Sequence, residues 1–330
     1  MRKLLLLLMA WPLLVAAQWM PDTLGGGYEM RYVDQGRDYS GPVRCTVVRL
    51  ASPQAHGRGI LYVHGYNDYF FQKQMGETFV DSCYSFYAVD LRKYGRSILP
   101  GQRKFEARNL TEYFADIDSA LQIMHQDGIN EVALMGHSTG GLICALYMSE
   151  KPSPMVKDLI LNSPFLEWNL GKTKRDFLIP IVGAISHIFP KIKISNGHST
   201  AYGESLLKQY HGEWEYNTDW KTFYPQKVTS GWLRAIDSGH SRLRNGRPIT
   251  VPILLMHSDN SVYGDEWDES HQHGDGVLNV DDIAKYGRQL GPDVTEAVIP
   301  GGLHDLALSD APAREIFYAD IFDWLHDHPL

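Results

Sequence analysis

With three cysteines in 330 residues, the chain has no disulfide framework to lean on, so its fold rests on a hydrophobic core. Cys45 and Cys83 each flank a strand-like run and pair if the chain is exported. Three free thiols are the alternative, and Cys144 lies among apolar neighbours either way. A membrane-spanning run is also missing: the longest apolar stretch, residues 4–16, falls short of the roughly 20 residues a spanning helix needs. Preceded by Arg2 and Lys3 and ending in Val15-Ala16-Ala17, it predicts an export signal cleaved after Ala17 and a periplasmic or secreted mature chain. There is no basic stripe. Net charge is −8, or −10 without Arg2 and Lys3, which excludes nucleic acid and electrostatic docking on anionic membranes and leaves membrane contact to a cap. No glycine-rich phosphate loop follows a strand, so no cofactor is expected. The clusters Glu213-Trp214-Glu215, Asp265-Glu266-Trp267-Asp268-Glu269 and His271-Gln272-His273 fit no zinc spacing. They read as solvated acidic loops, with no metal. No repeat or low-complexity tract appears, and nothing indicates a protein partner.

What is present is ordered by strand and helix patterns. Residues 27–34 and 43–51 alternate apolar and polar positions, as in Val43-Arg44-Cys45-Thr46-Val47-Val48, and predict a leading antiparallel hairpin. Apolar runs without alternation follow at residues 59–63, 85–89, 132–135, 159–161 and 253–256. Such runs suit strands buried on both faces of a parallel sheet. Helical patterns fall between and after them, at residues 110–126, 140–151 and 313–325, giving a doubly wound, mostly parallel α/β sheet. The alternation breaks over residues 164–247, where Phe165, Trp168, Tyr202, Trp214, Tyr216, Trp220 and Trp232 make the chain too apolar for a linker. This stretch reads as an aromatic-rich cap inserted after the sixth strand, over the carboxyl edge where such sheets bind ligands. About a third of its aromatics are assigned to a pocket. The chain thus divides into a leader (1–17), a core in two parts (18–163 and 248–330) and a cap (164–247).

The most informative segment is Gly136-His137-Ser138-Thr139-Gly140-Gly141. It joins the strand-like Val132-Ala133-Leu134-Met135 to the helical Leu142-Ile143-Cys144-Ala145. A serine between glycines at a sharp strand-to-helix turn is a nucleophile elbow. The turn strains Ser138, and the small neighbours let strand and helix close around it. Serine chemistry also needs a base, a group to orient it and donors for the oxyanion. His304 follows the last strand, at residues 294–299, within Pro300-Gly301-Gly302-Leu303-His304-Asp305, and is the expected base. For the acid, Asp275 in Gly274-Asp275-Gly276-Val277-Leu278 is favoured because it leads directly into the next helix. Asp259, two residues past the seventh strand, is the alternative. The oxyanion donors are expected from the Thr139 N–H and, after His64-Gly65, the Tyr66 N–H. The side chains of Tyr66, Tyr69, Phe70 and Phe71 either line the pocket mouth or bury the following helix.

With these residues placed, the chain resembles the lysophospholipase and monoacylglycerol lipase-like branch of the α/β-hydrolases, also labelled serine aminopeptidase S33 or hydrolase 4. Carrying the likeness are Val63-His64-Gly65-Tyr66, the elbow, Gly301-Gly302-Leu303-His304-Asp305 and Asp90-Leu91-Arg92-Lys93-Tyr94-Gly95-Arg96-Ser97. In the last, Tyr94 stands where the family has a glycine. The family's Gly-x-x-Asp after the seventh strand is replaced by Ser258-Asp259-Asn260-Ser261. The resemblance implies a serine hydrolase that cleaves monoacylglycerols, lysophospholipids or other acyl esters through an acyl-enzyme. Two rival readings remain. A serine aminopeptidase or amidase would use Glu213 and Glu215 as a clamp for a substrate amine, and a non-catalytic hydrolase-like module would only bind.

Overall fold

Unbroken apolar strands need cover on both faces, and a computed structural model describing residues 18–171, 177, 179–195, 197 and 199–328 builds such a sheet. The leader expected at residues 1–17 lies outside the described residues. Three strands come first: β1 (Met20–Pro21), β2 (Glu29–Asp38) and β3 (Gly41–Leu50). The alternating half follows as β4 (Arg58–Val63), α1 (Lys73–Asp81), β5 (Ser85–Asp90), α2 (Phe114–Gln126), β6 (Glu131–His137), α3 (Thr139–Glu150) and β7 (Val156–Asn162). After β7 the chain leaves the sheet for α4 (Ile179–Ser186), β8 (Lys193–Ile194), α5 (Ala201–Leu206), β9 (Val228–Thr229) and α6 (Ser230–Asn245). It returns as β10 (Ile253–Ser258), α7 (Val280–Gly287), β11 (Val294–Ile299) and α8 (Ala311–Asp327).

The main sheet runs in the order β1-β2-β3-β5-β4-β6-β7-β10-β11. Strands β4, β5, β6, β7, β10 and β11 are parallel, whereas β1 to β3 pair antiparallel at one edge. This is an α/β-hydrolase sheet. Successive side chains point to opposite faces of a strand. Leu61, Val63, Val132, Leu134, Ile253 and Leu255 accordingly face the layer holding α2, α3, α6 and α7. Ile60, Tyr62, Ala133, Met135, Leu254 and Met256 face α1 and α8 on the other side. Side-chain caps set the late helices: Asn279 accepts from Asp281 and Asp282 N–H before α7, and Asp310 accepts from Ala313 N–H before α8.

Cys45, Cys83 and Cys144 are free thiols. The antiparallel register of β3 and β5 puts Thr46 opposite Asp90 and Leu50 opposite Phe86. Cys45 therefore lies at the far end of β5 from Cys83, so the pairing considered from sequence would require the sheet to come apart. Burial pushes the Cys144 thiol well above its ordinary pKa, which keeps it inert.

Where β6 meets α3, the glycines are set by contact rather than by turn angle. A Cβ on Gly140 would lie 2.3 Å from the Val63 carbonyl oxygen and 2.4 Å from that of His64. Both obstacles are backbone, which cannot swing away. Gly140→Ala is expected to lose about 3 kcal/mol, read as a lower urea midpoint at unchanged m.

Candidate active site

Ser138 sits at φ +52°, ψ −119° between β6 and α3, a conformation costing a non-glycine residue about 1–3 kcal/mol. Three backbone bonds hold it there. Ser138 N–H donates to Asn162 O at 3.0 Å, and Ser138 O accepts from Leu142 and Phe165 N–H at 3.1 and 3.0 Å. The hydroxyl meets the loop beyond β11: Ser138 Oγ is 2.9 Å from His304 Nε2, and His304 Nδ1 is 2.8 Å from Asp275 Oδ2. All three residues are buried. A carboxylate accepts only, so Nδ1 carries the ring proton and Nε2 faces the hydroxyl as acceptor. Such a chain can take the serine proton as an attack begins.

Asp275 reaches His304 because the loop after β10 leaves and comes back. Asp275 N–H donates to Asn260 O and Val262 N–H to Asp275 O, at 3.0 and 2.9 Å, a parallel bridge between Ser261 and Asp275 that prolongs the β10 edge. Its second oxygen accepts from Val277 and Leu278 N–H, both at 2.8 Å, which fixes the carboxylate plane. Asp259 is exposed and accepts from Gly301 N–H at 3.0 Å, bracing the turn that leads to His304. The structure therefore joins Ser138, His304 and Asp275, and leaves Asp259 outside the chain of hydrogen bonds.

Thr139 opens α3, where a backbone N–H has no intrahelical acceptor. Gly65 presses on the same spot, since a Cβ there would lie 3.1 Å from both Ser138 Cβ and His137 Nδ1. Next to it, His64 Nε2 accepts from Leu91 N–H at 3.1 Å, so His64 Nδ1 carries a proton and donates to Gly65 O at 2.8 Å. Burial lowers the His64 pKa, consistent with this neutral tautomer. In a trans peptide the Tyr66 N–H points opposite to the Gly65 carbonyl, so His64 fixes the direction of that N–H. The neighbouring rings bury loops and helices: Phe70 joins the core under the sheet, Tyr66 packs on Phe105 and Trp232, Tyr69 on Trp220, and Phe71 on Tyr216.

The Asp90–Arg96 motif is a brace. Asp90 accepts from Phe70 and Arg96 N–H at 2.9 and 3.0 Å, and Arg96 Nη1 donates to Asp90 and to Phe70 O, both at 2.9 Å. Gly95, at φ +44°, is required because a Cβ would fall 2.4 Å from Asp90 Oδ2.

Sequence reasoning gave Asp68, Asp305 and Lys221 no role and read Tyr202 only as a cap aromatic, yet all four surround the candidate site. The 202–222 segment is fastened to the loops after β4 and β11: Lys221 pairs with Asp68 at 3.0 Å, Thr222 and Asn67 exchange hydrogen bonds, Tyr202 OH accepts from Asp305 N–H, and Trp214 Nε1 donates to Leu308 O. No linear spacing announces these pairings; only the adjacency of Asp305 to His304 hints at one. Asp68, His137 and Asp305 hold ligand-type atoms within 4.8 Å of one another. Glu213 pairs with Arg314 at 3.3 Å and Glu215 lies 3.8 Å from Lys208, both largely exposed. Both carboxylates that the amine-clamp reading would use are thus engaged with surface cations.

The family model described as serine aminopeptidase, S33 (Hydrolase_4) matches residues 54–310. Phospholipase YtpA of Bacillus subtilis (strain 168) is 23% identical over 215 residues, covering 63% of this chain and 77% of that protein. Among solved structures, a soluble variant of the Saccharomyces cerevisiae monoglyceride lipase in complex with a substrate analog superposes with TM-score 0.66 at 16% identity, covering 91% of this chain and 96% of that one. The Paleococcus ferrophilus monoacylglycerol lipase gives 0.63 at 20% identity, over 86% and 98%. The match across most of the chain, on an α/β-hydrolase sheet, places this protein in the serine aminopeptidase S33 (Hydrolase_4) family of α/β-hydrolases.

Proposed function

We propose that the protein is an exported serine esterase that cleaves monoacylglycerols, lysophospholipids or related acyl esters. The observation that carries the reading is the buried hydrogen-bonded chain from Ser138 through His304 to Asp275. Ser138 Oγ attacks the ester carbonyl while its proton passes to His304 Nε2. The C–O bond to the alcohol then breaks, and His304 returns the proton to the leaving alkoxide. Water, deprotonated by the same nitrogen, releases the acid and restores Ser138. The Tyr66 and Thr139 N–H groups hold the oxyanion, and Asp275 stabilises the imidazolium. No cofactor enters these steps. Export rests on the leader read at residues 1–17.

The test is turnover of p-nitrophenyl esters from acetate to palmitate beside an alanine p-nitroanilide. Ester turnover is expected, with a chain-length optimum that sizes the pocket. Anilide cleavage with feeble ester turnover would replace the esterase by an amidase, and silence with no fluorophosphonate labelling would leave a binding module.

Membrane contact through the cap has its own support. Ile181, Ile185, Ile188 and Phe189 form an exposed apolar stripe along α4 and the turn after it, beside Lys191 and Lys193. In this reading the stripe rests on lipid aggregates that supply substrate. Ile185→Glu with Ile188→Glu should lower turnover of vesicle-borne monoacylglycerol about tenfold or more, while p-nitrophenyl acetate hydrolysis stays unchanged. Equal losses on both substrates would count against surface docking.

A further inference from the structure

Beneath the Ser138–His304–Asp275 chain lies a second buried cluster that the acyl-transfer steps do not use. Each member neighbours a part of the site. His137 directly precedes Ser138, Asp305 directly follows His304, Asp68 is two residues beyond Tyr66, and Lys221 comes from the segment covering them. All four are buried. Lys221 Nζ lies 3.0 Å from Asp68 Oδ1. His137 Nδ1 lies 3.7 Å from Asp68 Oδ2 and 3.9 Å from Asp305 Oδ2. Among the described residues, Asp68 Oδ2 and both His137 ring nitrogens have no hydrogen-bond partner. Asp305 accepts instead from Asn162 and Gln72 side chains at 2.8 and 2.9 Å.

Charge counting decides what belongs there. Two buried carboxylates against one ammonium leave a single negative charge out of water, which is strongly unfavourable. A proton on His137 brings the sum to zero. A divalent metal on the same three ligands would carry it past zero to a net positive charge, with Lys221 already seated on Asp68.

We propose that His137 is held as an imidazolium between Asp68 and Asp305, completing with Lys221 a charge-balanced quartet that positions the Gly65–Tyr66 loop, Ser138 and His304 relative to one another. The role assigned here rests on the reading of Ser138 as nucleophile; His137 is a positioning residue. Burial opposes the charge on His137, but Asp305 and Asp68 outweigh it and raise its pKa even against Lys221. Asp68 is held below the usual carboxylate range because Lys221 and His137 overcome its burial. Other titratable groups around the cluster include His304, with ring centres 4.9 Å apart, Tyr202, whose hydroxyl accepts from Asp305 N–H, and Tyr62, His64 and Tyr216, which lie within electrostatic reach of Asp68. Because the folded-state pKa of His137 is raised, its stabilisation is full at low pH and is lost as pH rises through that value. Alignment of the site then has an alkaline limit set by His137.

The experiment measures the pH dependence of fluorophosphonate labelling at Ser138 in the wild type, Lys221→Met and Asp68→Asn, alongside nitrogen-15 NMR of the histidine rings, with His137→Gln assigning the signal. The wild-type rate is expected to fall at alkaline pH. Lys221→Met removes a cation facing His137 and should move that limb to higher pH. Asp68→Asn removes an anion and should move it lower, by about 1 pH unit or more. The His137 ring is expected to carry protons on both nitrogens at neutral pH. A neutral ring, a metal-bound ring, or variants that scale the rate equally at every pH would each overturn the proposal. If Asp68→Asn does not fold, the Lys221→Met shift and the ring signal still decide it. If Ser138 takes no label, the nucleophile reading and the positioning role built on it fail together, and the ring signal then tests the imidazolium by itself.

Discussion

Ser138→Ala is expected to reduce ester turnover by on the order of 10⁴- to 10⁶-fold. His304→Ala should fall nearly as far and the double variant no further, because nucleophile and base act as one unit. Asp275→Asn is expected to lose about 10⁴-fold, since an amide at Oδ2 favours the wrong tautomer of His304. Asp259→Asn should stay close to wild type in turnover, because its oxygen holds the Gly301 turn and the Ser258 hydroxyl rather than His304. Ser138→Gly separates strain from chemistry. It removes a side chain held at φ +52°, and should raise stability by about 1 kcal/mol while abolishing turnover. Initial rates on one p-nitrophenyl ester with urea unfolding of each variant check the whole set. Equal losses at Asp259 and Asp275, or full turnover in Ser138→Ala, would remove the proposed mechanism.

The largest stability loss is expected from Arg96→Met, at about 3–5 kcal/mol. Arg96 forks onto Asp22 through Nε and Nη2 at 2.6 and 2.9 Å, and its Nη1 reaches Asp90. Asp22 and Asp90 are both buried, so the methionine variant leaves two uncompensated carboxylates out of water. Arg96→Lys keeps the charge but lacks the fork that serves both aspartates and the Phe70 carbonyl together, and should recover only part of the loss. Denaturant unfolding measures both. A loss below about 1 kcal/mol in Arg96→Met would show that the brace is dispensable. Since Asp90 also holds Phe70 N–H, the loop after β4 should loosen in the same variant, visible as faster amide exchange over residues 65–72.

Much of this was legible because the signals are local. Apolar runs of strand length marked the parallel sheet, for a strand covered on both faces has no polar side to show. Small residues marked the elbow, since Gly140 has backbone oxygens where a Cβ would go. The position of His304 followed from its place after the last strand. Two-residue β1 left no trace, being too short to show alternation.

Sequence by itself thus determined the parallel strands and the turn that strains Ser138, because each is written in neighbours a few residues apart. Tertiary structure decided what depends on distant segments meeting. It set Asp275 rather than Asp259 against His304, through a backbone bridge to the Asn260–Val262 edge across an intervening loop. It kept Cys45 and Cys83 apart, through a strand register. It also gathered Asp68, His137, Asp305 and Lys221 into one buried cluster, since burial and charge balance are properties of the space between segments and leave no periodicity in any one of them.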